Sequence, residues 1–172
     1  MANLEILLSE DMIRNRVREM GSEISRDYNG EEVLVIGILK GAFVFLADLI
    51  RCLDLPVKVD FMDVSSYGLS TESSGEVRIM KDLEQPIEGK NVLIVEDIID
   101  SGTTLKFIEG ILQRRRPKSL KLCTFLDKPS RRKVPVTPHY NGFTIPDHFI
   151  VGYGLDYAEQ YRHLPMVCVL KD

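Results

Sequence analysis

VLIVEDIIDSGTTL, residues 92–105, changes character along its length in a way that decides how the chain folds. Val92 to Val95 is a short apolar run rich in β-branched residues, which reads as a strand buried on both faces. Glu96 and Asp97 follow at once, Ile98 and Ile99 intervene, and Asp100 adds a third carboxylate. Ser101, Gly102, Thr103 and Thr104 then make a small hydroxyl-rich turn that opens an amphipathic segment. In open α/β sheets, ligands bind outside the carboxyl ends of the strands. A helix start offers free backbone N–H groups to an anion. The stretch therefore reads as a phosphate seat beside carboxylates that can meet hydroxyls, a metal ion or a proton. A solvated acidic turn is the plain alternative. Carboxylates set directly behind a buried run argue against it, because burying them without partners costs several kcal/mol per ion.

Outward from this stretch, strands and helices alternate. Ser9 is placed to cap a first helix whose apolar stripe is Met12, Ile13, Val17, Met20 and Ile24, and Asn29-Gly30 ends it. Val33 to Leu39 reads as a buried strand, Ala42 to Leu53 as an apolar helix, and Val57 to Val64 as a second strand. Residues 65–75, SSYGLSTESSG, read as a mobile polar loop, and Glu76 to Asp82 as a returning strand that makes a flap-like hairpin with 57–64. Thr104 to Arg115 is the helix after the central strand, with Leu105, Ile108, Ile111 and Leu112 facing inward. Leu120 to Leu126 is another buried strand. Pro129, Pro135, Pro138 and Pro146 make residues 127–147 mostly irregular. Phe149 to Val151 and Met166 to Leu170 are the last strands, separated by the polar aromatic segment Gly152 to Leu164. The pattern predicts a parallel α/β sheet covered on both faces, in one domain spanning 1–172.

Composition narrows the class. Lys+Arg 22 against Asp+Glu 26 gives a net charge of −4, which weighs against non-specific nucleic-acid binding. Two basic runs, Arg114-Arg115-Arg116 with Lys118 and Arg131-Arg132-Lys133, read as a solvated helix end and a solvated loop. Cys52, Cys123 and Cys168 are scattered in apolar contexts, so buried free thiols in a reducing compartment are expected. The N-terminus lacks the features of a signal peptide, and no apolar run approaches the ~20 residues of a membrane span. A cytoplasmic location follows as an expectation. There is no P-loop and no nucleophile turn. Gly152-Tyr153-Gly154 is only half of a dinucleotide fingerprint, and His139, His148 and His163 show no metal-ligand spacing.

VEDIIDSGTT resembles the phosphoribosyl-diphosphate signature of the type I phosphoribosyltransferases. The neighbouring motifs are Leu39-Lys40-Gly41, Ser65-Ser66-Tyr67-Gly68, Lys128 after the strand ending at Asp127, and Val151-Gly152-Tyr153-Gly154-Leu155-Asp156 with Arg162 beyond. Together, and in family order, they resemble the hypoxanthine-guanine phosphoribosyltransferases. The resemblance implies a parallel-sheet type I phosphoribosyltransferase core, a small hood built from the N-terminal segment and the C-terminal region, and a flexible lid loop. It implies transfer of a 5-phosphoribosyl group from its 1-diphosphate to N9 of a 6-oxopurine, giving IMP or GMP and pyrophosphate in purine salvage. By the same resemblance, Asp100 to Thr104, including Ser101, Gly102 and Thr103, hold the 5′-phosphate. Glu96 and Asp97 meet the ribose hydroxyls directly or through Mg²⁺, and Asp156 also binds Mg²⁺. Asp100 is similar to the residue near purine N7 credited as general base, and as a helix N-cap it could serve structurally as well. Lys40, Gly41 and Arg162 contact pyrophosphate, and the Leu39–Lys40 peptide can be cis in the family. Lys128 donates to the purine 6-oxo group, Phe149 stacks on the base, and the backbone of Ile150 reads its other edge. Ser66 and Tyr67 belong to a lid that excludes water. A homodimer or homotetramer is implied as well.

Two rivals use the same residues. A nucleotide-sensing regulator would use the same phosphate seat to bind RNA or DNA, with the two basic runs as its evidence; against it stand Lys40, Asp100, Asp156 and the lid, all intact. A phosphotransfer receiver would isolate one aspartate at a central strand end and has no use for the 101–104 turn.

Overall fold

The computed structural model describes residues 3–67 and 76–171. Its elements in chain order are β1 (Asn3–Leu8), α1 (Glu10–Tyr28), β2 (Val33–Leu39), α2 (Phe43–Ile50), β3 (Val57–Tyr67), β4 (Glu76–Lys81), β5 (Asn91–Ile99), α3 (Thr103–Arg114), β6 (Ser119–Asp127), β7 (Tyr140–Thr144), β8 (Ile150–Val151) and β9 (Val167–Lys171). The larger sheet runs β4-β3-β2-β5-β6-β7, with β5 at its centre. All its pairings are parallel except β3 with β4, which form the expected antiparallel hairpin. A second, antiparallel sheet of order β1-β9-β8 joins the two ends of the chain into the hood.

Alternation along the strands divides the core. Val33, Val35, Leu93 and Val95 face α1 and α2, where they meet Met20, Ile24, Phe45 and Leu49. Leu34, Ile36, Val92 and Ile94 face α3, packing on Leu105, Ile108 and Leu112. This is the burial on both faces that a continuous apolar strand requires. The alternation slips at Glu96 and Asp97. Ile98, which an unbroken period would send to the α3 face, packs instead against the α1–α2 side cluster that holds Leu93, Val95 and Phe125.

Several expectations change. Residues 65–67 continue β3 rather than opening the loop. The second helix is shorter than 42–53 and closes at Ile50. Two strands were not expected. β1 lies in the N-terminal segment, and β7 lies inside the proline-rich stretch read as irregular. The proposed lid residues 68–75 lie outside the described residues, as do the side chains of Ser66 and Tyr67. Ser9 caps α1 as expected, its hydroxyl accepting from the Met12 N–H at 3.2 Å, while the Met12 side chain leaves the apolar stripe and is exposed. Cys123 and Cys168 are buried free thiols and Cys52 is half-buried. No described helix is long and apolar enough to cross a membrane.

Candidate active site

A cavity of about 430 Å³ opens at the carboxyl ends of β2 and β5, above the start of α3. Three separated stretches meet there. The turn after β2 brings Lys40 and Gly41. The central stretch brings Glu96, Asp97, Asp100, Ser101, Gly102 and Thr104. The segment after β8 brings Asp156 and Arg162. The slip at the end of β5 matters here. Neighbouring residues of a regular strand point to opposite faces, yet Glu96 and Asp97 both line this one space. A larger cavity of about 770 Å³ lies between α1, α2 and residues 162–165, and Arg162 alone of the expected site residues reaches it.

The Leu39–Lys40 peptide is cis. The Asp97 carboxylate sits so close to Gly41 that any Cβ there would overlap it, so a side chain at position 41 would have to displace that carboxylate. Glu96 and Asp97 are tied into their own backbone: Asp97 N–H donates to Glu96 Oε1 at 3.0 Å, and Ile98 N–H to Asp97 Oδ1 at 2.7 Å. Burial pushes the Glu96 carboxyl well up, and the neighbouring Asp97 charge adds to it. Burial also raises Asp97, against the lowering pull of its hydrogen bonds and of the Arg162 charge. Such a pair holds a proton more tightly folded than unfolded. Stability is therefore lost as pH climbs from the ordinary glutamate value of 4.5 through the raised folded value. Glu96→Gln removes one charge of the pair. In the absence of ligands and divalent cations it is expected to raise Tm at neutral or higher pH by roughly 2–4 °C for about 1 kcal/mol, with the gain vanishing below the unfolded value. Thermal melts of both proteins across pH check this.

The cationic side of the cavity is already paired. Arg162 Nη1 donates to Gly154 O at 2.7 Å, and its Nη2 lies 3.3 Å from Asp156 Oδ1 and 3.1 Å from Glu159 Oε1. Glu159 also pairs with Lys40 Nζ at 3.2 Å. Hydrogen bonds from Arg162 and Lys40, helped by their charges, hold the Glu159 carboxyl below the usual range. Nothing in the sequence pointed to Glu159.

Thr103 stands apart from the cavity lining. Its hydroxyl accepts from Ser101 Oγ at 3.3 Å and its N–H donates to the same Ser101 Oγ at 3.3 Å, which locks the turn internally. Among the described residues, the N–H groups of Ser101, Gly102 and Thr104 donate to no protein acceptor. They remain free for an anion, as a helix start requires.

Lys128, Phe149 and Ile150 lie beside the cavity rather than in its lining. Lys128 is buried, and its Nζ donates to His148 O at 2.7 Å. Its ammonium lies 3.5 Å from Asp147 Oδ1 and 3.8 Å from Asp100 Oδ1. Asp100 thus joins the cavity to the lysine. Phe149 is 54% exposed, so it is no core aromatic. Its ring meets Tyr157 edge-on, with centroids 5.6 Å apart. Ile150 is buried at the start of β8.

Glu96, Asp97 and Asp156 all reach the cavity, but no described group of three His, Cys, Asp or Glu side chains forms a cage for an ion. Hard oxygen donors too few for a complete shell fit Mg²⁺, which keeps waters and takes substrate phosphates as ligands.

Residues 5–158 match the family model described as the phosphoribosyl transferase domain. The hypoxanthine-guanine phosphoribosyltransferase of Bacillus subtilis is 53% identical over 97% of this chain and 93% of its own length. The bifunctional protein TilS/HprT of Listeria innocua is 52% identical over 97% of this chain, which spans only 26% of that longer protein. A crystal structure of a hypoxanthine-guanine phosphoribosyltransferase from Bacillus anthracis superposes with a TM-score of 0.94 at 52% identity, covering 97% of this chain and 98% of that one.

Proposed function

We propose, because the chain belongs to the phosphoribosyl transferase family and to its hypoxanthine-guanine members, that it transfers a 5-phosphoribosyl group from phosphoribosyl diphosphate to N9 of a 6-oxopurine. Hypoxanthine and guanine would give IMP and GMP with release of pyrophosphate. One observation carries the reading. A free-donor turn, two half-buried carboxylates and a pair of cations surround one cavity, and Asp100 links that cavity to a buried lysine.

The chemistry follows from these groups. The turn's N–H groups and hydroxyls seat the 5′-phosphate. Glu96 and Asp97 stand where the ribose hydroxyls would lie and stabilise the positive charge that develops on the sugar. The C1′–O bond breaks with its electron pair leaving on pyrophosphate, and purine N9 forms the new bond. Asp100 accepts the proton that the base sheds at N7. Lys40 and Arg162 receive the leaving pyrophosphate, and Glu159 must yield its place between them. Lys128 donates to the 6-oxo group and Phe149 covers the ring.

Mg²⁺, held by Glu96, Asp97 or Asp156 together with substrate oxygens, would neutralise charge on the leaving group. IMP formation from hypoxanthine and phosphoribosyl diphosphate is therefore expected to stop in EDTA and return with added Mg²⁺. Full turnover in EDTA would remove the metal from this account. A cytoplasmic setting accords with three free cysteines. The exposed Phe43 on α2 supports assembly as a homodimer or homotetramer, which light scattering would measure.

A further inference from the structure

The run Arg131-Arg132-Lys133 is not a solvated loop throughout. The Arg132 side chain is 17% exposed and pairs with Asp127, itself 8% exposed, at 2.6 Å. Its other terminal nitrogen donates to the backbone carbonyl of Asp100 at 3.0 Å. Its stem lies against the turn, since a Cβ on Gly102 would come within 3.2 Å of Arg132 Cδ. The next two residues act alongside: Lys133 N–H and Val134 N–H donate to Ser101 O at 2.9 and 3.4 Å. Two successive carbonyls of the phosphate turn are thus tied back to residues 132–134.

A trans peptide is planar, with its C=O and N–H on opposite sides. Holding the Asp100 and Ser101 carbonyls against 132–134 therefore turns the N–H groups of Ser101 and Gly102 the other way. That side is the cavity, which both residues line, and neither N–H has a protein acceptor among the described residues. We infer that Arg132, anchored by Asp127, is a positioning residue that aims the Ser101 N–H at the sugar 5′-phosphate. The inference rests on the phosphoribosyl reading of that turn. The Ser101 carbonyl keeps its two backbone donors without Arg132, so the arginine's own share is the Asp100 carbonyl. A guanidinium can serve a carboxylate and a carbonyl at once through its rigid fork, whereas a lysine ammonium is a single point donor.

The test compares two ligands on one folded protein. Ribose 5-phosphate would occupy the turn, and pyrophosphate the Lys40–Arg162 side. Calorimetry with Mg²⁺ is expected to show Arg132→Ala weakening ribose 5-phosphate by about tenfold, the loss of one oriented charged-site hydrogen bond, with pyrophosphate affinity unchanged. In steady state, KM for phosphoribosyl diphosphate rises while KM for hypoxanthine holds. Arg132→Lys keeps a cation beside Asp127, gives the same selective loss in smaller degree, and serves if the alanine variant does not fold. Equal weakening of both ligands, or of neither, overturns the positioning role. A wild-type protein that binds pyrophosphate but no ribose 5-phosphate overturns the reading of the turn itself, and the inference with it.

Discussion

Asp100→Ala is expected to lower kcat by about 10²–10³-fold while leaving the affinity for phosphoribosyl diphosphate within a few fold. The two effects separate because the residue contributes in two independent ways. Its side chain is half exposed, lines the cavity and faces the Lys128 ammonium at 3.8 Å. Its backbone carbonyl is held from below by Arg132, and that bond survives truncation of the side chain. The phosphate turn therefore keeps its shape when the carboxylate is lost. Asp100→Asn is the stricter comparison, since it keeps the size and loses the proton acceptor. Pre-steady-state measurement of IMP formation, with binding followed separately, reads both terms. An equal loss in turnover and in affinity would contradict the role of Asp100 as base.

Lys128→Ala is expected to reduce kcat/KM for hypoxanthine by about a hundredfold and to bring the preference for hypoxanthine over adenine close to unity. An ammonium carries only donors, so it matches a 6-oxo oxygen and cannot accept from a 6-amino group. Its burial sharpens the choice, because water is not at hand to fill in for the wrong partner. The position is set by His148 O, Asp147 and Asp100 around one nitrogen. Truncation would leave the Asp100 carboxylate without its cation, while Asp147 keeps Arg131 at 3.2 Å, so Lys128→Met would lose affinity as well as selectivity. Competition between hypoxanthine and adenine, measured in one mixture, gives the ratio directly. A preference that persists in Lys128→Ala would assign recognition of the base to another group.

Much of this was legible in residues 92–105. The apolar run, the acids and the hydroxyl turn are local, and a buried strand followed by such a turn needs few long-range contacts to be recognised, although the N-cap of α3 is Gly102, with no side-chain cap, rather than Asp100. The hairpin of β3 and β4 was legible for the same reason. β1 was not, because its partner β9 lies at the far end of the chain and Ile6 remains 60% exposed, so no clear two-residue period marks it. β7 was hidden by Asn141-Gly142, which reads as a turn, and by prolines on both sides; as the edge of the sheet it pairs only with β6. Arg132 and Glu159 escaped for a different reason. Each sits among like-charged or polar neighbours, and only the fold reveals that one braces a turn and the other lies between two cations. The three acidic positions expected to hold a metal were found around one cavity but not as one cage, a distinction that spacing along a chain does not carry.

The central claim is that this cavity joins a phosphoribosyl group to a 6-oxopurine. Its most direct test is to incubate the protein with phosphoribosyl diphosphate and Mg²⁺, supply hypoxanthine, guanine, xanthine or adenine in turn, and measure the nucleotide and pyrophosphate formed. The account predicts IMP from hypoxanthine and GMP from guanine, each with equimolar pyrophosphate, and no AMP above background. AMP as the main product, or no nucleotide from any of the four bases, would contradict it.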